Sequence, residues 1–178
     1  MPSHLWRTAD FVFAAVLVTR AGAACSRIEP VPAPELLVRR AEVIVLVTAE
    51  DVWRWPDSGT GLSGVVEFRV EASLKGSLPG NLLRIEGTLT ANDDFNDSPF
   101  PYTFVRPEGR RGNCKATTYK KDGMFLLMLK ATPDPPKWFE PFKPAWTPYW
   151  EALAPTNEQL HGPDDPWVGW VRQHVLTR

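Results

Sequence analysis

The hydrophobic residues of this chain recur with a two-residue period or form short continuous runs, and both arrangements predict β-strands. Residues 66–72 alternate apolar and charged side chains, as in an antiparallel strand with one face in water. A similar alternation runs over residues 83–89. Residues 43–49 form a continuous run rich in β-branched side chains, and residues 124–129 are continuously apolar; both patterns are typical of strands buried on both faces. With a fifth, short strand predicted at residues 149–154, the expected fold class is mostly β.

A helix is predicted on each side of this series of strands. Pro34 can occupy the first helical position of a short helix that runs to about Glu42. Near the C-terminus, Asp165 can cap a helix that begins at Pro166. The apolar side of that helix follows an i, i+3, i+4, i+7 pattern at Trp167, Trp170, Val171 and His174.

Residues 1–24 have the organisation of a secretory signal peptide. Arg7 supplies a positive charge, residues 11–18 form a short apolar run, and residues 21–23 give the small-x-small pattern of a cleavage site. The apolar run is much shorter than the roughly 20 residues of a spanning helix, so no transmembrane span is expected in the mature chain. The predicted location is secreted or periplasmic. A lipid anchor at Cys25 ranks lower, because the preceding residues lack the bulky aliphatic side chain of bacterial lipoprotein signals.

The remaining chain has the length of a single domain, roughly 150 residues. We expect a barrel over residues 25–131 and a tail over 132–178 that packs on the barrel. Nine of the 18 prolines and five of the eight tryptophans lie between residues 133 and 170. Because a dangling linker rarely carries so many aromatic rings, the tail is predicted to be folded. The net charge of −1 does not favour nucleic-acid binding.

The chain has two cysteines, Cys25 and Cys114. In an oxidising compartment, a single pair of thiols is expected to form a disulfide. The bridge would join the start of the mature protein to its middle.

Several of these features occur together in one known family. Residues 68–76 read Phe-Arg-Val-Glu-Ala-Ser-Leu-Lys-Gly, residues 112–114 read Gly-Asn-Cys, and residues 119–127 lead into an apolar strand. This series resembles the domain shared by tissue inhibitors of metalloproteinases and netrin C-terminal modules, over roughly residues 25–129. The resemblance implies an OB-like five-stranded antiparallel barrel, in agreement with the strand count. The animal inhibitors begin with Cys-x-Cys, whereas residues 25–27 here read Cys-Ser-Arg.

The resemblance also implies a possible role for the mature N-terminus. In the inhibitor family, an N-terminal cysteine chelates the zinc ion of the target protease through its amine and carbonyl groups. Cys25 would take this position if the signal peptide is cleaved after Ala24. This role rests on analogy at the level of the fold.

No catalytic machinery is recognisable in the sequence. The zinc-binding H-E-x-x-H, paired-cysteine spacings and the G-x-S-x-G nucleophile motif are all missing. The Asn- and Asp-rich segment 92–97 could ligate Ca²⁺, but it lacks the glycine and the distal glutamate of a calcium loop, so turns are favoured. His161 and His174 are interpreted as a turn residue and a packed helix residue. We therefore predict a non-enzymatic protein without metal or cofactor.

Two binding hypotheses remain. The first is a protein-binding or inhibitory module for an extracellular or periplasmic partner, which would contact a mixed-charge rim. The predicted rim residues are Arg27, Asp93, Asp94, Arg110 and Arg111. The alternative is a cell-envelope or glycan-binding module using the aromatic surface of Trp138, Trp146 and Trp150, although such rings more often form core. The basic residues between 106 and 121 are interpreted as a solvated face.

Overall fold

The computed structural model describes residues 32–53, 64–110, 114–133 and 149–177, with the backbone alone for Trp53 and residues 154–156. The predicted signal peptide and residues 134–148 of the predicted tail lie outside these residues. Nine regular elements occur in the described ranges, apart from one 3-10 turn at Pro107–Arg110. They are α1 (Pro34–Arg40), β1 (Val43–Trp53), β2 (Val65–Lys75), β3 (Leu82–Glu86), β4 (Thr88–Thr90), β5 (Thr118–Lys120), β6 (Met124–Thr132), β7 (Tyr149–Leu160) and α2 (Pro166–Leu176).

Five strands form one antiparallel sheet in the order β3-β2-β1-β6-β7. The sheet is curled into an open half-barrel, which confirms the predicted mostly β, OB-like fold with a short N-terminal helix and a C-terminal helix. Three register shifts between β1 and β2, and one between β6 and β7, explain the curl. Each shift sets one or more extra residues of one strand against its partner, which bends and twists the sheet locally.

Two strand predictions need correction. The third predicted strand, residues 83–89, is divided at Gly87, and β4 pairs in parallel with β5 instead of continuing the main sheet. A Cβ atom at Gly87 would lie 2.5 Å from the carbonyl oxygen of Thr117 and 2.6 Å from the Tyr119 ring, so the chain can cross here only without a side chain. The fifth strand is longer than predicted, since β7 continues to Leu160.

The sheet buries apolar side chains on both faces, as the continuous runs predict. The inner-face cluster is centred on Val45, Val47, Phe68, Phe125 and Leu127. On the outer face, α1 and α2 cover a second cluster, which includes Leu46, Leu126, Met128 and Trp167. Burial on two faces requires apolar residues at consecutive positions, which accounts for the lack of alternation in β1 and β6.

The helix predictions are confirmed at the residues that define them. The side chain of Asp165 accepts a hydrogen bond from the backbone N–H of Trp167, at 2.9 Å, and Pro166 opens α2. Trp167 and Val171 are buried, while Trp170 and His174 are half-buried. The stripe therefore docks α2 on the outer face of the sheet.

The Leu-Lys-Gly sequence at residues 74–76 has a structural role. The Lys75 ammonium donates hydrogen bonds to the carbonyl oxygens of Val38 and Ala41, at 2.9 and 2.5 Å, and so caps the C-terminal end of α1. Gly76 has φ +65°, and a Cβ atom there would collide with the carbonyl oxygen of Glu42. This motif joins the end of β2 to α1.

Candidate functional site

The segment between β4 and β5, residues 91–117, contains most of the predicted binding residues, and we call it the β4–β5 loop. Its described parts, 91–110 and 114–117, are attached to three consecutive residues of β7. These residues are Asn157, Glu158 and Gln159, with exposed fractions of 3%, 0% and 5%. Because side chains alternate along a strand, Glu158 shares the outer face with its partner Leu126, while Asn157 and Gln159 point to the inner face.

Arg106 is the centre of these contacts and is fully buried. Its guanidinium donates to Asp94 at 2.5 Å, to the backbone oxygen of Asn157 at 2.9 Å and to the backbone oxygen of Thr118 at 2.6 Å. The guanidinium carbon also lies 5.4 Å from the centroid of the Tyr119 ring. The interpretation of Arg106 as part of a solvated basic face is therefore wrong.

Two carboxylates of the loop bind backbone N–H groups. Asp94 accepts from the N–H of Glu108 at 3.0 Å, in addition to its ion pair with Arg106. Glu108 accepts from the N–H of Thr117 at 3.0 Å and from the hydroxyl of Thr118, also at 3.0 Å. Hydrogen bonds to charged groups are stronger than those between neutral groups, so these contacts fix the course of the loop.

On the inner face, Asn157 and Gln159 attach the loop to the barrel. The Asn157 amide donates to the carbonyl oxygen of Ala116 at 2.5 Å and to the hydroxyl of Tyr119 at 2.9 Å. Gln159 accepts from the N–H of Asp94 at 2.8 Å. Burial raises the pKa of the Tyr119 hydroxyl, which therefore stays protonated and acts here as a hydrogen-bonding group within the core.

On the outer face, Glu158 attaches the loop through Asn96. The Asn96 amide donates to Glu158 Oε2 at 3.0 Å and to the carbonyl oxygen of Phe104 at 2.8 Å. Asn96 Oδ1 accepts from the N–H of Ser98 at 2.9 Å. Asn96 therefore closes residues 96–104 into a compact turn and ties that turn to β7.

The Glu158 carboxyl is in an unusual environment for an acid. Its Oε1 atom is buried and has no hydrogen-bond partner among the described residues. Burial raises the pKa of Glu158 to about 8, and the hydrogen bond from Asn96 opposes this only in part. At neutral pH the carboxyl is therefore mainly protonated.

The predicted rim residues are divided between internal contacts and the surface. Asp94 pairs with buried Arg106 and retains a side-chain exposure of 16%. Asp93 pairs with Lys120 at 2.7 Å and keeps 43% of its side chain exposed. Arg110 pairs with Asp97, a residue not predicted for the rim, whose side chain is 64% exposed. Lys120 and Arg110 hold the pKa values of Asp93 and Asp97, respectively, below the usual range. The remaining predicted rim residues, Arg27 and Arg111, lie outside the described residues.

Phe100 occupies the exposed end of the turn at residues 96–104. Phe100 is 48% exposed. It is one of three large apolar residues in the described ranges that are exposed to solvent. The ring lies edge-on to Tyr102, at 5.9 Å between centroids, and to Trp167, at 6.0 Å. Since Trp167 belongs to the outer-face core, Phe100 is supported from below by packed aromatic rings.

The alternative aromatic surface is only partly described. Trp150 lies on β7 and packs half-buried against the inner-face cluster, whereas Trp138 and Trp146 lie outside the described residues. Cys114 is buried, with 1% exposure, in a small cluster with Val105 and Ala116. Cys25 is also outside the described residues, so the predicted bridge stays a prediction.

Both histidines in the described ranges, His161 and His174, make local contacts. His161 stacks on Phe95 with 4.0 Å between centroids, and its Nδ1 lies 3.2 Å from Asp165. His174 stacks on Trp170 at 3.7 Å. Within the described ranges, no cluster of three His, Cys, Asp or Glu side chains could hold a metal ion. No helix in the same ranges is long and apolar enough to cross a membrane.

Three features of this site were not predicted from the sequence: buried Arg106, the polar triplet on β7 and exposed Phe100. One sequence signal could have found the triplet, which directly precedes Leu160. If these residues are taken as a strand, Glu158 and Leu160 share one face, which places a glutamate on an apolar, buried face. No family model, curated protein or solved structure matches this chain.

Proposed function

We propose that this protein is a secreted, non-enzymatic protein-binding or inhibitory module whose partner is an extracellular or periplasmic protein. The observation that carries the proposal is Phe100, an exposed aromatic ring on a loop that buried polar contacts fix in place. The β4–β5 loop is the proposed contact surface. Export and the relation to the inhibitor and netrin domains are parts of the same proposal and rest on the sequence.

A fixed loop is suited to binding because it loses little conformational entropy when a partner docks. The loop is held in place before a partner binds, through the contacts of Asn96, Asp94 and Arg106 within the protein itself. Aromatic side chains often supply much of the energy of a protein–protein interface, especially when neighbouring residues exclude water around them. Phe100, with Tyr102 beside it, fits this description.

The charges of the β4–β5 loop are consistent with a polar interface rim. Asp93 and Asp97 are partly exposed, and each is held by a neighbouring cation. Such groups at the edge of an interface mainly influence orientation and association rate. The alternative, glycan binding through the tail, is less favoured because Trp150 is packed on the barrel.

The experiment uses the full chain, exported from its host, as bait for the extracellular or periplasmic fraction. A captured protein is then purified, and its affinity is measured by calorimetry for the wild type and for Phe100→Ala. We expect the variant to bind at least about tenfold more weakly, a loss typical of an interface aromatic. Leu176→Ala is the matched control, because Leu176 is 81% exposed but lies at the end of α2.

Two results would contradict the proposal. One is a direct partner whose affinity is the same for Phe100→Ala and the wild type. The other is a partner whose binding is lost with Trp138→Ala and Trp146→Ala but kept with Phe100→Ala, which would support the tail alternative.

A further inference from the structure

We propose that Glu158 is a pH-sensitive latch, which holds the turn at residues 96–104 against β7 while its carboxyl is protonated and releases it on ionisation. The proposal concerns regulation of the surface that carries Phe100, and its consequence for binding rests on the proposed function. The latch itself is a property of the free protein.

The geometry connects Glu158 to the exposed ring in two steps. Glu158 Oε2 accepts from the Asn96 amide, at 3.0 Å. The same amide group donates to Phe104, while Asn96 Oδ1 accepts from the N–H and the hydroxyl of Ser98, at 2.9 and 2.7 Å. Any movement of Asn96 away from Glu158 therefore disturbs both ends of the turn that carries Phe100.

The surroundings of Glu158 disfavour a charge. The residue is fully buried on the outer face, where its partner across the β6–β7 ladder is Leu126. One carboxyl oxygen has no hydrogen-bond partner in the described part of the chain. A buried carboxylate with a single hydrogen bond is costly, so ionisation favours opening of the loop and hydration of the carboxyl.

The neighbouring charged groups act in both directions. Arg106 and Arg110 favour ionised Glu158, and Asp94 disfavours it. Arg106 is committed to Asp94 and Arg110 to Asp97, so each cation already has an anionic partner. On the side of α2, Asp165 and Glu158 both raise the pKa of Tyr102, and the Asp165 carboxylate lies 3.2 Å from His161 Nδ1.

The sign of the effect follows from proton linkage. Burial raises the pKa of Glu158 from an ordinary 4.5 to about 8. The closed turn binds a proton that the open turn, with a hydrated carboxylate, has released. Closure is therefore most stable below about pH 4.5, weakens as the pH rises towards 8, and levels off above it.

The test is hydrogen exchange of the amides in residues 96–104, measured on the full chain without a partner at pH 6 and pH 8.5 and corrected for intrinsic rates. We compare the wild type with Glu158→Gln, which stays neutral. The matched control is Glu151→Gln, because Glu151 lies on the same strand with its side chain 57% exposed. His161 is present in all three proteins, so a contribution from it is common to all of them.

We expect protection of the turn to fall about tenfold or more between pH 6 and pH 8.5 in the wild type and in Glu151→Gln. A tenfold fall corresponds to a difference of one unit between the pKa of Glu158 in the closed and the open turn. In Glu158→Gln it should stay constant within about twofold. An equal fall in all three proteins, or no fall in the wild type, would overturn the latch.

A second measurement covers the case in which Glu158→Gln does not fold. Carbon-13 NMR of the wild type follows the Glu158 carboxyl directly, and a midpoint in the ordinary glutamate range would overturn the proposal, whereas one near 8 supports it. Neither experiment involves a partner. A failure of Phe100→Ala to weaken binding would therefore refute the proposed function without touching the latch.

Discussion

Replacing Asp94 by Asn should destabilise the fold far more than its position on a surface loop suggests. The substitution preserves the shape of the side chain and one acceptor oxygen, but it removes the charge paired with fully buried Arg106. Leaving a buried cation without its counter-charge costs about 3–5 kcal/mol in proteins. Since the Asp94 side chain is 16% exposed, water can reach the site in part. We therefore expect a loss of about 3 kcal/mol, at the low end of that range.

The same loop offers a matched control in Asp97→Asn. Asp97 also pairs with an arginine, Arg110, but its side chain is 64% exposed and that of Arg110 is 26% exposed. Pairs in contact with solvent contribute less than about 1 kcal/mol. The assay is urea unfolding at pH 7, with the free energy of unfolding extrapolated to water for both variants and the wild type.

A double variant separates the ion pair from the rest of the site. Adding Arg106→Met to Asp94→Asn removes the buried charge, so part of the lost stability should return, although the carbonyl oxygens of Asn157 and Thr118 lose their donor. If Asp94→Asn costs no more than Asp97→Asn, Arg106 is not the structural centre of the loop, and the argument for a fixed loop fails.

Three further predictions concern the fold. Trp167→Ala should lower the free energy of unfolding by about 3–5 kcal/mol, measured in thermal or urea unfolding, because the ring is fully buried. Trp170→Ala should lower it clearly less, and equal losses would show that α2 docks differently. Gly76→Ala should cost at least about 1–2 kcal/mol, because φ is +65° and the new Cβ meets Glu42, whereas Gly162→Ala, with open space around it, should be near neutral. Mass spectrometry of exported, non-reduced protein should show a peptide linking Cys25 and Cys114, and two free thiols would rule the bridge out.

The strands and helices could be predicted because their signals are local. Two-face burial makes residues 43–47 of β1 and 124–129 of β6 continuously apolar. The Asp165–Pro166 pair marks the start of α2 regardless of what the helix packs against. The division at Gly87 was not predictable in the same way. It depends on how close Thr117 and Tyr119 approach, some thirty residues further along the chain.

The site was harder to predict because its residues are joined by long-range contacts. Nothing in the sequence near Arg106 distinguishes it from Arg110, yet one is buried against β7 and the other reaches the surface. Their difference arises from Asn157 and Thr118, which supply carbonyl oxygens only to Arg106. Phe100 is likewise recognisable as an exposed ring only once Tyr102 and Trp167 are in place beneath it.

Site-specific photo-crosslinking tests the proposed binding surface most directly. A benzophenone amino acid is placed at position 100, and in separate proteins at the exposed positions Leu82 and Leu176, followed by irradiation of cells that express the protein. The account predicts a covalent adduct with one extracellular or periplasmic protein from position 100 and none from the other two. Adducts from position 82 or 176 with none from position 100 would contradict it.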